Sequence, residues 1–118
     1  MPDSIDRSGL TLDDYQRESR KTAIYPAIGG REVYPALGLA NEAGEVLGKI
    51  KKIYRDLEGN YRKEDLDNIE AVLGDVLWYL SQLAYELGLS LESIGAHNLD
   101  KLRSRAERGA LRGSGDKR

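Results

Sequence analysis

The chain has 118 residues, a length that suits one domain built around one hydrophobic core. Charged residues make up 32% of it, yet the formal net charge is only -2, which does not fit a general binder of nucleic-acid polymers. Cysteine is absent, so disulfides, thiolate zinc sites and a cysteine nucleophile are excluded. With a single histidine, any metal site needs oxygen ligands and a hard cation such as magnesium.

No apolar run approaches the roughly 18 residues that a transmembrane helix needs, and the polar, acidic N-terminus is unlike a signal peptide. We therefore expect residues 1–118 to form one cytoplasmic domain without a membrane partner. The last twenty residues are locally basic, and residues 109–118 are predicted to be a basic turn or tail. That basic character suits a phosphate-bearing ligand, and a solvated tail explains it equally well.

Four helices are predicted in chain order. The first runs from about Leu12 to Ala23, with Thr11 placed as its N-cap and Asp14 placed to complete a capping box. After a loop, the second begins near Pro35 and reaches about Arg55. Its predicted apolar stripe comprises Leu37, Ala40, Leu47, Ile50 and Tyr54.

The third helix is predicted from about Glu64 to Leu87, with Gly88 ending it and Ser90 capping a fourth helix over about Leu91 to Arg108. The third helix carries the widest apolar stripe, so we expect it to be central. That stripe comprises Leu66, Ile69, Leu73, Val76, Leu77, Leu80, Leu83, Ala84 and Leu87. Since no alternating strand pattern competes, the predicted fold is all-α, an antiparallel four-helix bundle that assembles as a homo-oligomer to cover the rest of this stripe.

Two glutamates on the second helix are the first candidates for chemistry. Glu42 and Glu45 are spaced i, i+3, so their carboxylates share one helix face, where a bridging cation would turn their repulsion into binding. A solvated helix face explains the same pair. Asp75 changes the balance because it stands in the most hydrophobic segment of the chain, where an aspartate is expected to be buried and to need a partner. Gly44 and Gly74 beside two of these acids predict a narrow cleft between adjacent helices.

These residues carry a family resemblance. Tyr34 to Glu45, the lysine run 49–52 and the segment Gly74 to Leu80 resemble a MazG-type nucleotide pyrophosphohydrolase, as do Asn98 with Lys101 and Arg105. The resemblance implies an all-α enzyme that cleaves nucleoside triphosphates to monophosphate and pyrophosphate. It also implies magnesium, with manganese as a substitute, and homodimers or tetramers that complete the site across subunits. By this resemblance Glu42, Glu45 and Asp75 are the metal-binding and catalytic residues.

The chain departs from the family pattern at one expected ligand. Val72, three residues before Asp75, occupies the position of a family glutamate. Glu70 is the nearest acid, but it lies roughly 140° around the helix from Asp75 and is not assigned to the site. Three carboxylates with waters and substrate phosphates still suffice for magnesium, which usually keeps several waters.

Basic and aromatic residues supply the predicted contacts to substrate. Lys49 and Lys52 follow Glu45 on the same helix face and are placed to meet a phosphate, although a Glu45–Lys49 surface pair is an equal alternative for Lys49. Asn98, Lys101 and Arg105 share a face of the fourth helix and suit a triphosphate. Trp78 lies near the Asp75 face and is assigned to base stacking or, alternatively, to core packing.

The sequence therefore predicts a magnesium-dependent hydrolase of nucleoside triphosphates that serves to clean the nucleotide pool. Its rival is a catalytically weakened helical module for oligomerisation or nucleotide sensing, in which the missing glutamate records lost chemistry.

Overall fold

The computed structural model describes residues 7–109, and all of its regular elements are helices. Helix α1 spans Leu12–Ser19 and continues into a 3-10 turn, Arg20–Thr22. Helix α2 spans Val33–Leu57, α3 spans Lys63–Glu86 and α4 spans Leu91–Glu107. The described range contains no strand, which confirms the all-helical prediction, and none of its helices is long and apolar enough to cross a membrane.

The helix termini follow local capping chemistry. Thr11 and Asp14 form the predicted capping box at α1, and the Ser90 hydroxyl accepts from the Ser93 amide at the start of α4. Helix α2 ends where Glu58 and Gly59 take positive φ values of 55° and 81°. The tight turn that follows returns the chain antiparallel, as α3.

Helices α2 and α3 form a long antiparallel hairpin, and their line of contact is termed the seam. At one end of the seam the backbone of Gly38 lies against the ring of Tyr79, so closely that any side chain at position 38 would overlap the ring. This contact fixes the register of the two helices. It also shows why a helix interior tolerates glycine at this position.

A buried polar layer joins α1 to α3. Ser81 and Gln82 are both 0% exposed, and the Gln82 amide donates to the Ser19 hydroxyl at 2.7 Å. The Ser19 and Ser81 hydroxyls are 2.9 Å apart, and Ser19 also donates to the carbonyl of Gln16. Each of these groups has a partner, so their burial does not carry the penalty of unpaired polar groups.

The same layer extends to an ion cluster around Glu86, whose side chain is 8% exposed. Glu86 accepts hydrogen bonds from the Tyr25 hydroxyl and, at 3.2 Å, from Arg20. Arg20 also donates to Gln82 at 3.0 Å, and Arg31 lies 3.5 Å from Glu86. The loop between α1 and α2 is thereby fastened to the C-terminal half of α3.

Helix α4 packs mainly on α1. The Gln16 side chain accepts from the Leu91 amide at 3.1 Å and donates to the Leu89 carbonyl at 3.0 Å. The Ser90 hydroxyl donates to Asp13 at 2.8 Å. The described residues therefore form a helical hairpin of α2 and α3, with α1 packed on α3 and α4 packed on α1. The antiparallel four-helix bundle in a homo-oligomer stays a prediction.

Apolar surface remains open on the sides of α2 and α3 that face away from the seam. The exposed residues keep 50–69% of their accessible surface, and they are Leu37, Leu47, Tyr54, Leu66 and Leu73. These residues belong to the stripes that the sequence assigns to the core. Their burial is not achieved within residues 7–109, where α4 packs on α1 and leaves these sides of the hairpin uncovered.

Candidate active site

The hairpin register places the three predicted carboxylates along one stretch of the seam. Starting from the contact of Gly38 with Tyr79, four residues inward on each helix lead to Glu42 on α2 and Asp75 on α3. The two acids therefore face each other across the seam, and Glu45 follows Glu42 one turn further along α2.

The pKa of Glu42 responds to burial and to the charges of both other acids. Partial burial raises the pKa of the Glu42 carboxyl, and the negative charges of Asp75 and then Glu45 raise it further. Glu42 is half-buried, whereas Glu45 and Asp75 are exposed. Like charges from two helices thus converge on one open stretch of the seam, and a cation or a proton there relieves their repulsion.

Two details of the sequence prediction are wrong for the single chain. Asp75 is exposed rather than buried, because the apolar residues around it point to other sides of α3 while Asp75 faces the open seam. Gly44 and Gly74 do not mark a close approach, since a side chain at either position would meet nothing within 4 Å. The close approach lies at Gly38 instead.

Two tyrosines border the carboxylates and were missed by the sequence analysis. Burial raises the pKa of the Tyr15 hydroxyl, and the charge of Asp75 adds to the effect. Burial also raises the pKa of Tyr79, followed by the neighbouring Tyr34 and then by Glu42 and Asp75. The helical spacing of Tyr79, four residues after Asp75, was the available signal, whereas Tyr15 reaches the site only through the packing of α1 on α3.

Aromatic rings continue from Tyr79 toward the α1–α2 loop. Tyr34 stacks on Tyr25 with centroids 5.7 Å apart and planes within 4°, and it lies 6.3 Å from Tyr79. Trp78 packs edge-on against Tyr25 and Tyr79 and donates to the Thr22 hydroxyl at 2.9 Å. Trp78 is therefore held in a packed cluster, and its predicted stacking on a base stays a prediction.

The lysines lie at the other end of the seam. Lys49 and Lys52 line a groove between the last turns of α2 and the first turns of α3. Among the described ion pairs there is none between Glu45 and Lys49, so the surface pair considered above is not formed. Their contact with a phosphate stays a prediction.

The predicted basic set on α4 lies elsewhere in the chain. Asn98 and Lys101 are exposed and Arg105 is buried, on a helix that packs on α1. The charges that act on Glu42 come from Asp75 and Glu45 on the hairpin. A role for these α4 residues at the carboxylates stays a prediction. The predicted basic tail also stays a prediction, because its residues 110–118 lie outside the described range.

Val72 is the position at which the chain departs from the family's metal ligands. Helix α3 is a continuous α-helix through Val72, without a bulge, so Glu70 stays on another side of the helix. The three seam acids offer the hard oxygen ligands that magnesium prefers. Yet the described residues contain no group of three acidic, histidine or cysteine side chains close enough together to hold an ion. The donor chemistry fits magnesium, whereas the arrangement within one described chain is incomplete.

Comparison with known proteins identifies the family of the chain. The family model described as the MazG nucleotide pyrophosphohydrolase domain matches residues 35–109, which contain α3, α4, all of α2 except its first two residues, and all three seam acids. The Gene 37 protein of Mycobacterium phage L5 is 45% identical over 114 residues, covering 92% of this chain and all of that protein. No solved structure matches. The family match extends over more than half of the chain, which therefore belongs to the MazG nucleotide pyrophosphohydrolase domain family.

Proposed function

We propose that the chain is a magnesium-dependent nucleoside triphosphate pyrophosphohydrolase that releases a nucleoside monophosphate and pyrophosphate in a cytoplasmic, pool-cleaning role. The observation that carries the proposal is that Glu42, Glu45 and Asp75 lie along one open stretch of the seam, where burial and then the charges of Asp75 and Glu45 raise the pKa of Glu42. Carboxylates that repel each other in the free protein are suited to bind a cation, which in turn binds phosphate groups.

The three carboxylates have defined parts in this proposal. Glu42, Glu45 and Asp75 would hold magnesium, or manganese in its place, which when bound neutralises charge on the substrate phosphates. A seam carboxylate accepts the proton of the attacking water, whose oxygen forms a new bond to phosphorus as the anhydride bond to pyrophosphate breaks. No covalent intermediate with the protein is needed.

A second copy of the chain belongs to the proposal. The apolar residues Leu37, Leu47 and Leu73 are half or more exposed on the outer sides of the hairpin, and surfaces of this kind are typical of subunit interfaces. A homodimer or tetramer would cover them and would bring further ligands to an incomplete carboxylate site. The solution mass of the full chain tests this, with Leu47→Lys expected to shift it toward the monomer.

The rival proposal is a weakened module that binds nucleotides or mediates assembly. It is favoured by Val72 in the place of a family glutamate and by the lack of a ready three-acid group among the described residues. Such a module would bind a nucleotide with magnesium without releasing pyrophosphate.

A panel of canonical and modified nucleoside triphosphates, with magnesium and with chelator, decides between the two. The proposed enzyme produces equal amounts of monophosphate and pyrophosphate from at least one substrate, and it stops when the metal is removed. Binding without turnover across the panel contradicts the enzyme and supports the module. Release of orthophosphate from the terminal group contradicts the reaction as proposed.

A further inference from the structure

The seam has a chemical polarity along its length. Tyr34 and Tyr79 lie at the end fixed by Gly38, and the carboxylates Glu42 and Asp75 come next. Beyond the carboxylates, toward the turn between α2 and α3, lies the groove that Lys49 lines. Aromatic rings, acids and cations therefore follow one another in a single direction.

The groove is a substantial cavity of about 290 Å³ with a surplus of positive charge. Its polar lining consists of Lys49, Lys52, Arg62, Asn68, Asp56 and Asp65. The acids already have cationic partners of their own. Arg62 holds Asp65 at 2.9 Å, and Arg55 holds Asp56 at 2.8 Å.

The two lysines differ from those acids. Neither Lys49 nor Lys52 forms an ion pair among the residues that the structure describes. Lys52 is close enough to contribute to the lowered pKa of Asp56, after the larger effect of the Arg55 hydrogen bond. The amide of Asn68 lies on the facing helix and adds a hydrogen-bond donor. The groove thus offers donors to an anion.

The spacing matches a phosphate chain. With a rise of about 1.5 Å per residue, Lys49 lies about 6 Å and Lys52 about 10 Å beyond Glu45 along the axis of α2. A flexible lysine side chain shortens either distance further. An anion in the groove would therefore lie within the reach of one phosphate chain that begins at the carboxylates.

We infer that the groove of Lys49, Lys52 and Asn68 is a subsite for the pyrophosphate end of the substrate. The inference rests on the proposed function and adds the orientation of the substrate along the seam. The β and γ phosphates lie toward the α2–α3 turn, while the nucleoside lies toward Tyr34 and Tyr79. The groove consequently selects for phosphate-chain length rather than for the base.

The test uses the full chain with magnesium, inorganic pyrophosphate as the calorimetric probe, and a nucleoside triphosphate and its monophosphate. Lys52→Ala is compared with Lys51→Ala, a matched charge change at an exposed residue that does not line the groove. Lys52→Ala, and in parallel Lys49→Ala, raises the Kd for pyrophosphate and the KM for triphosphate about tenfold, the scale of one charge-assisted hydrogen bond. The Kd for the monophosphate is unchanged, because its phosphate ends at the carboxylates, and Lys51→Ala changes none of these values.

The outcomes separate this inference from the proposed function. If the wild type releases pyrophosphate but Lys52→Ala and Lys49→Ala behave like Lys51→Ala, the groove is not the subsite and the enzyme assignment stands. If Lys52→Ala and Lys49→Ala weaken the binding of monophosphate and triphosphate equally, the groove holds the phosphate nearest the nucleoside. That result reverses the inferred orientation of the substrate and overturns the inference. If no triphosphate is hydrolysed while both lysines still control pyrophosphate binding, the groove is upheld as an anion site and the catalytic proposal fails. Thermal unfolding of each variant identifies any loss caused by misfolding, and the second lysine keeps the test decisive.

Discussion

Two polar regions of the chain differ in how their groups are balanced. In the layer between α1 and α3, Ser19, Ser81 and Gln82 are buried and hydrogen-bonded to one another. In the seam, Glu42 and Asp75 repel each other on an open surface. The first region has its partners among the described residues, whereas the acids of the second region repel each other there and suit the cation proposed above.

This difference distinguishes structural polar residues from candidate functional ones without reference to sequence families. A complete hydrogen-bond network specifies one arrangement of helices and gains nothing from a ligand. A group of like charges costs free energy in the empty protein and releases it when a cation binds. We therefore expect substitutions in the two regions to act on different quantities, stability in the layer and activity in the seam.

The largest effect is expected at the seam. If the seam acids hold the metal as proposed, Asp75→Asn or Glu45→Gln removes a charge that holds it, and kcat/KM should fall by about two orders of magnitude or more. The melting temperature without metal should not fall, because the change relieves repulsion at an exposed site. Pyrophosphate release and thermal unfolding, measured on the same samples, check both statements.

Glu70→Gln is the matched control, since it removes a glutamate from the same helix outside the seam. It should leave kcat/KM unchanged. A comparable loss of activity in Glu70→Gln would show that Glu70 reaches the site, and the regular course of α3 would then have to change on assembly or binding.

The next effect is expected in the buried layer. Glu86→Gln leaves Arg20 and the Tyr25 hydroxyl with a weaker, neutral acceptor, and the free energy of unfolding should fall by about 2 kcal/mol. The hydrogen bond from Tyr25, aided by Arg20 and Arg31, lowers the pKa of Glu86 despite its burial. The contribution is therefore fully present above pH 4.5 and is lost as the pH falls through the lowered pKa.

Urea unfolding at neutral and acid pH measures this difference. Wild type and Glu86→Gln should converge as the pH falls, whereas Glu18→Gln, which breaks only the exposed pair with Lys21, should change stability by less than about 1 kcal/mol at any pH. A Glu86 variant that loses activity but keeps its stability would place this cluster with the functional residues and remove the contrast between the two regions.

The smallest effect is expected from adding the family ligand. Val72→Glu places a fourth carboxylate on the seam near Glu45, and magnesium affinity should rise about tenfold. Without metal the added charge should lower the melting temperature, and magnesium should more than restore it. Calorimetric titration with magnesium alone measures the change, and an unchanged affinity would mean that position 72 does not face the ion.

The local pattern of the chain predicts more of the fold than of its assembly. The caps at Thr11 and Ser90 and the stop at Gly88 follow from side-chain chemistry within a few residues, so the helices fall close to the predicted ranges. The position of α4 against α1 depends on contacts such as that of Gln16 with Leu91, which join residues far apart in sequence. Periodicity cannot reveal such a pairing.

The site also has one part that local sequence predicts and another that depends on long-range packing. Glu42 and Glu45 share one helix, so their spacing alone predicts that they are neighbours. The exposure of Asp75 and the approach of Tyr15 depend on which sides of α3 other helices cover. An apolar sequence environment therefore does not predict the burial of Asp75, because the residues around it in sequence surround the helix rather than the carboxylate.

The contact of Gly38 with Tyr79 has a consequence for how this chain can change in length. The pairing of Glu42 with Asp75 is counted from that contact along two antiparallel helices, so one inserted residue between contact and acid would turn a carboxylate by about 100° out of the seam. The turn between Leu57 and Lys63 does not lie between the Gly38–Tyr79 contact and the acids. Additional residues in this turn therefore leave the pairing of Glu42 with Asp75 intact. Among natural variants of this chain, insertions should accumulate in that turn and be missing from residues 38–45 and 75–79.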